Sequence, residues 1–235
     1  MRTTKNIRGL EFRLVLEDPF IEQYLRNKNP VELTDLGAGT NNEIAISFLD
    51  QTPQYFDGKQ VIIYLVDMNP LWLSMLSQKL PKTNQKILLI QAELEQLTIE
   101  ARIIESTVRV CSQKCLTPTI QTLMQQYRFP PACMDLVVFN RDMMGWLQYF
   151  NANTGRVLQE THKILKSDGL LAVTQPGLKY QHPHNLLENN GFTFVKRGVL
   201  QLDTGTLIES PDPIFKDPKL REYIYLVYQT HSNDR

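Results

Sequence analysis

Two short stretches carry side chains whose types and spacing point to chemistry. The first is Asp35-Leu36-Gly37-Ala38-Gly39-Thr40. Glycine at 37 and 39 removes the β-carbon, so the backbone can bend tightly and a ligand can lie against it. A dinucleotide fingerprint needs a third glycine, Gly-x-Gly-x-x-Gly, and position 42 is Asn. A phosphate loop needs Gly-Lys-Ser/Thr, which is absent. The Asp35 carboxylate, two positions before Gly37, would repel a pyrophosphate and suits a ligand with a cationic amine. A purely structural tight turn is the other reading of these six residues.

The second stretch is Leu65-Val66-Asp67-Met68-Asn69-Pro70, in which Asp67 follows the apolar run Val61 to Val66. A carboxylate at the end of a second strand is placed to accept both hydroxyls of a ribose. The alternative is a carboxylate at a helix start, worth about 0.3–1 kcal/mol through the helix dipole.

Other reactive residue types are sparse. His162 falls on a helix and reads as a surface or packing residue, whereas His182 and His184 follow a strand and lie nearer the expected cleft. No third ligand accompanies them, so a metal site is not expected. Cys111 and Cys115 have i, i+4 spacing without a second pair and read as ordinary thiols. Pro131-Ala132-Cys133 precedes a strand, which puts the thiol at the wrong edge of a sheet to act on a ligand at the carboxyl edge. Trp146, Tyr149 and Phe150 form an aromatic cluster that reads either as helix core or as a stacking surface for a planar acceptor. No residue declares itself as a general base.

The elements that must position these residues alternate along the chain. Strands are expected at Val31–Leu36, Val61–Val66, Ile87–Ile90, Met134–Phe139 and Leu170–Thr174. Helices are expected at Leu10–Arg26, Asn42–Leu49, Pro70–Leu80, Thr154–Leu165 and His184–Asn190. Phe192–Leu200 and Tyr223–Thr230 are expected to pair as final strands, with Pro211, Pro213 and Pro218 in the loop between them. Such alternation builds a doubly wound α/β sheet. Residues 1–30 form an N-terminal helical segment. Residues 99–131 form an inserted segment between the third and fourth strands, too long for a simple connection. It is expected to be partly helical, with Ile120, Leu123 and Met124 at helical spacing, and to lie near the carboxyl edge. It reads as a crossover, or as a substrate cover or partner surface.

Composition agrees with one globular domain spanning 1–235. Hydrophobic residues are 42% and charged residues 21%, enough for a sizeable core. Lys plus Arg equals Asp plus Glu at 25 each, so no net field favours nucleic acid or an anionic membrane. Three cysteines suit a reducing compartment. No run approaches the roughly 20 apolar residues that span a bilayer, and the first residues lack the apolar core of a secretory signal. The expectation is a cytoplasmic protein.

Taken in order, the motifs resemble those of the class I S-adenosylmethionine-dependent methyltransferases. Glu32 to Thr40 is similar to the family's first motif, Leu65 to Pro70 to its second, and Gln91 to Leu97 to its third. Met134 to Asn140 is similar to the fourth, and Leu158 to Leu171 to the helix, turn and strand that complete the core. Leu187 to Phe192 resembles the helix end before the last hairpin. The likeness runs from about residue 31 to 230. Two departures are an enlarged loop around Gln51 to Lys59 and Ser167-Asp168 in place of Pro-Gly.

The resemblance implies a seven-stranded Rossmann-like sheet, mostly parallel, closed by an antiparallel hairpin. It implies S-adenosyl-L-methionine as cofactor. Gly37 and Gly39 would lie against its methionine end, with Asp35 near the amino group. Asp67 would hold the ribose, and Met68 would pack on the adenine. Glu93 would accept from the adenine amino group with Ala92 beside it, and Asn140 would open onto the transferred methyl. The implied activity is methyl transfer to a small molecule or protein side chain rather than to nucleic acid. Two alternatives stay open: a catalytically inactive binding or scaffold subunit, and a nicotinamide-dependent oxidoreductase.

Overall fold

A computed structural model describes residues 2–3, 15–40, 59–80, 86–106, 116–140, 147, 151–176, 184–201, 204, 206–210 and 222–230. The helix expected at Asn42–Leu49, Cys111, Cys115 and all of the enlarged loop at Gln51–Lys59 except Lys59 lie outside the described residues. So do Trp146, Tyr149, Phe150, His182, Pro211, Pro213 and Pro218.

Ten strands form one sheet among the described residues: β1 (Arg2–Thr3), β2 (Val31–Leu36), β3 (Val61–Asp67), β4 (Lys86–Gln91) and β5 (Arg102–Ser106), followed by β6 (Met134–Phe139), β7 (Leu165–Pro176), β8 (Phe192–Gln201), β9 (Thr206–Ser210) and β10 (Glu222–Thr230). Their spatial order is β1-β9-β8-β10-β7-β6-β2-β3-β4-β5. The central pairs β4–β3, β3–β2, β2–β6 and β6–β7 are parallel, and β10 pairs antiparallel with both β7 and β8.

The expected seven strands are therefore embedded in a wider, mixed sheet. The additions are β5, antiparallel at one edge, and β9 and β1, antiparallel beyond β8. β5 lies in the 99–131 segment, where Arg102-Ile-Ile-Glu-Ser106 lacks both strand alternation and the apolar run of a central strand. Its largely exposed side chains explain that weak pattern: an edge strand buries too little to impose one.

β2, β3 and β6 are buried at every position, as befits strands covered on both faces. One face gathers Leu33, Ile63, Leu65 and Leu136; the other gathers Ile62, Tyr64, Val66 and Val137. Five α-helices are described: α1 (Pro19–Arg26), α2 (Pro70–Ser77), α3 (Pro118–Gln126), α4 (Thr154–Ile164) and α5 (His184–Glu188). α1, α2 and α3 each open with proline at the first turn behind an oxygen-bearing cap: Asp18, Asn69 and Thr117. α2 buries Leu73 and Leu76 on one face of the sheet, and α3 buries Ile120 and Leu123 on the other. No helix among the described residues is long and apolar enough to cross a membrane.

Three placements differ from the sequence-based expectation. The helix expected at Leu10–Arg26 is interrupted at Glu17 and Asp18, and α1 starts afresh at Pro19 because Asp18 caps it. The cap of α3 lies at the amino edge of the sheet, where Thr117 Oγ1 donates to Glu32 Oε1 at 3.1 Å near the start of β2. The inserted segment thus brings its helix start to the edge opposite the one expected. β7 begins earlier than Leu170: its register with β6 jumps from Met134↔Leu165 to Leu136↔Leu170. Lys166–Gly169 loops out of the ladder there, where a turn between helix and strand is expected.

Candidate functional site

The chain leaves β2 at Leu36 through two glycines in the left-handed region. Gly37 has φ +80° and Gly39 φ +58°, conformations that cost an L side chain about 1–2 kcal/mol. The turn folds over the end of the neighbouring strand, with the N–H groups of Gly37 and Ala38 both donating to Val66 O at 2.9 Å. Among the described residues, a β-carbon built on Gly39 would meet nothing within 4 Å, so the backbone there is open on the side they define.

Asp67 ties this turn to the end of β3. Its Oδ2 accepts from Gly39 N–H at 2.9 Å and its Oδ1 from Asn69 N–H at 2.8 Å. Its carbonyl accepts from Ala92 N–H at 3.2 Å, which joins the ends of β3 and β4. Burial pushes the Asp67 carboxyl above the usual range, against the pull of the Asn69, Gly39 and Met68 backbone N–H groups. Three backbone N–H groups on about four acceptor sites leave the carboxylate capacity for a further donor. Met68, next in sequence, is 67% exposed.

Asp35 is buried one residue inside the end of β2, in register with Leu65 and Val138. Asn140 follows β6 and is buried; its Oδ1 accepts from Thr174 Oγ1 on β7 at 2.9 Å. Ala92 is buried, and Glu93 is exposed with Oε2 accepting from Gln96 Nε2 at 2.8 Å. The eight residues Asp35, Gly37, Gly39, Asp67, Met68, Ala92, Glu93 and Asn140 thus all lie at or just beyond the carboxyl ends of four adjacent parallel strands. β2 sits at the centre, with β3 on one side and β6 on the other. This is the topological switch point at which open α/β sheets bind ligands.

Residues considered for chemistry elsewhere are held in other roles. Cys133 is buried beside the amino end of β6, its N–H donating to Ile164 O at 2.8 Å, and burial pushes its thiol far up. It is a protonated thiol at the edge opposite the site. His162 packs edge-on against Phe192, with ring centroids 5.5 Å apart, and burial lowers its pKa. His184 packs edge-on against Phe194 and approaches Glu188 Oε1 at 3.2 Å. Its Nδ1 lies 3.5 Å from the hydroxyl of Tyr228, which pairs with Leu171 rather than with the strand end. The sequence placed His184 nearer the cleft than this.

Sequence reasoning passed over the contacts that fasten the Leu94–Gln96 turn after β4. Glu95 Oε1 accepts from Asn153 N–H at 2.8 Å, and its carbonyl from Arg156 Nε at 3.0 Å. Glu160, 2% exposed on α4, accepts at Oε2 from Thr98 N–H (2.8 Å) and Thr98 Oγ1 (2.7 Å). In sequence, Glu160 and Lys163 look like a solvated i, i+3 pair, so nothing local announces a buried carboxylate.

No family model and no curated protein matches the sequence. Solved structures do match the fold. The chain is similar to a TehB-like SAM-dependent methyltransferase from Corynebacterium glutamicum, at 14% identity over 96% of this chain and 89% of that one, TM-score 0.54. It is similar to a SAM-dependent methyltransferase from Aquifex aeolicus, at 12% identity over 94% and 92%, TM-score 0.54. It is also similar to the cyclase SpnF, at 11% identity over 95% and 81%, TM-score 0.52. The fold is that of the class I S-adenosylmethionine methyltransferase-like proteins. Strand order agrees: β4-β3-β2-β6-β7-β10-β8 gives the parallel core and reversed hairpin that the resemblance implies.

Proposed function

We propose that the chain binds S-adenosyl-L-methionine and transfers its methyl group to a small molecule or protein side chain. The observation that carries this reading is the Gly39–Asp67 junction. A left-handed glycine, open among the described residues, is locked by a buried carboxylate at the end of the next strand. That arrangement fits a nucleoside with an attached amino acid. Asp67 has lone pairs left for ribose hydroxyls, and the open backbone at Gly39 accommodates the methionine end beside Asp35.

In this reading Met68 offers an exposed apolar face to the adenine. Ala92 flanks it, Glu93 accepts from the adenine amino group, and Asn140 borders the reacting end. S-adenosylmethionine supplies an already activated methyl on its sulfonium. The chain's own contribution is then to bind, orient and exclude water, which holds reacting atoms at productive distances.

Calorimetry tests the proposal. S-adenosylmethionine or S-adenosylhomocysteine is expected to bind at micromolar affinity or tighter, on the order of −8 kcal/mol, with no comparable heat for NAD. Absence of binding at millimolar concentration would overturn it. The cyclase among the similar folds keeps a second reading in view, a cofactor-binding protein without methyl transfer. Formation of S-adenosylhomocysteine in the presence of acceptor candidates separates the two.

A further inference from the structure

The Glu93 side chain sits between two anchorages of different origin. On one side the sheet fixes Ala92 through its N–H to Asp67 O. On the other, α4 fixes the turn that follows. Glu95 takes the N–H of Asn153, the α4 cap residue, and Glu160 takes both donors of Thr98. Between these anchorages Gln96 holds the Glu93 carboxylate. Residues 92–98 enter no strand pairing among the described residues; the carbonyl of buried Leu97 also accepts from Phe129 N–H at 3.0 Å, but no ladder bond sets where Glu93 points. A carboxylate as buried as Glu160 is costly unless its oxygens are satisfied, and here Thr98 and Lys163 Nζ (2.6 Å) satisfy them.

We propose that Glu160, through Thr98, is a positioning residue for the nucleobase end of the cofactor site. The inference rests on the reading of Glu93 as acceptor for the adenine amino group. Helix α4 thereby governs discrimination at the ligand's 6-position without touching the ligand.

The test compares S-adenosylhomocysteine with S-inosylhomocysteine, in which an oxygen acceptor replaces the 6-amino donor. The wild-type chain is expected to prefer the adenosyl ligand by about tenfold or more, the discrimination of a hydrogen bond to a charged group. Glu160→Gln places an amide N–H2 against either Thr98 or Lys163, whichever way the amide turns. Thr98→Val removes the hydroxyl donor at nearly constant shape. Both variants are expected to lose most of the preference, chiefly by weaker adenosyl binding, whereas Thr98→Ser retains it. A merely structural role would lower melting temperature and leave the ratio unchanged. A wild-type ratio in both Thr98→Val and Glu160→Gln overturns the proposal; if Glu160→Gln does not fold, Thr98→Val decides alone. Equal wild-type binding of the two ligands overturns the Glu93 assignment and this inference with it, but leaves the cofactor reading standing. Wild-type binding of neither overturns the proposed function itself.

Discussion

Gly39 donates its backbone N–H to Asp67 Oδ2 at 2.9 Å across the gap between β2 and β3. The two residues that sequence analysis selected separately, one for backbone freedom and one for charge, are thus a bonded pair. The bond gives Asp67 a structural part beside the ligand part proposed for it.

Asp67→Ala is expected to affect both folding and binding. Two backbone donors, Gly39 N–H and Asn69 N–H, lose a charged acceptor, at a cost of about 1–3 kcal/mol offset in part by removing a desolvated charge. Losing two ribose hydrogen bonds in addition should weaken S-adenosylhomocysteine by roughly two to four orders of magnitude. Melting temperature and calorimetry on the same variant check this. Near-native affinity with a lowered melting temperature would leave Asp67 a brace and nothing more.

Gly39→Ala separates turn strain from ligand clearance. The positive φ predicts a loss of about 1–2 kcal/mol whatever the ligand. The new methyl meets no atom of the described residues within 4 Å. If the cofactor lies there, affinity falls at least about tenfold beyond any effect of stability. An unchanged dissociation constant in the folded variant would show that this side of Gly39 is not the binding surface.

The parts of the fold legible in sequence are those whose physics is local. Val61–Asp67 and Met134–Phe139 are apolar enough to be buried on both faces, and Pro70 marks a helix start. Val31–Leu36, half polar with Glu32, Thr34 and Asp35, is legible by the glycine turn into which it runs. Of the eight proposed site residues, Asp35, Gly37, Gly39 and Asp67 are legible from residue type and from their place at a strand end, whereas Met68, Ala92, Glu93 and Asn140 are reached only through the family resemblance. What escapes is contact between distant segments. Glu160 reads as surface until Thr98 is brought against it, and β9 hides in a loop because its strand character comes from pairing with β8. Asp18 and Tyr225 are separated by 207 positions, yet Tyr225 Oη donates to Asp18 Oδ2 at 2.7 Å. No pattern in either neighbourhood contains the other.

That last contact predicts the consequence of enlarging Gly198. A β-carbon there would lie 1.8 Å from Tyr225 Cε1, inside the ring's contact distance. Tyr225 is fully buried and its hydroxyl is committed to Asp18, which also caps α1 and pairs with Lys196 Nζ at 2.7 Å. Gly198→Ala must move the ring or the strand, with a loss of about 1–3 kcal/mol or more. Because the contact joins α1, β8 and β10 away from the glycine turn, cofactor affinity of the folded fraction should stay at the wild-type value. Denaturant melts and calorimetry report the two quantities independently, and an unchanged melting curve would contradict the packing argument.

Glu32 supplies a pH dependence whose sign can be worked out. Its carboxyl is buried at the amino edge and held above the usual range chiefly by that burial. The hydroxyls of Thr119, Tyr64 and Thr117 and the Lys166 ammonium pull the other way without prevailing. The Cys133 thiol also faces this group, and Asp135 Oδ2 accepts Glu32's own N–H at 2.9 Å. With the folded pKa above the unfolded value of about 4.3, the folded chain binds this proton more tightly than the unfolded chain does. Glu32 therefore contributes stability at low pH that is lost as pH rises through its raised folded pKa. Asp67 is shifted in the same direction, whereas Glu160 and Asp168, held below the usual range, contribute stability that is present above the unfolded carboxyl range and lost as pH falls through their folded pKa. Glu32→Gln keeps a carbonyl oxygen for the Tyr64 and Thr117 hydroxyls but carries no charge to bury. Its melting temperature should match or exceed wild type near about pH 8, and the advantage should shrink or reverse towards about pH 4. A difference between the two proteins that stays constant across that range would show that Glu32 does not titrate as its burial requires.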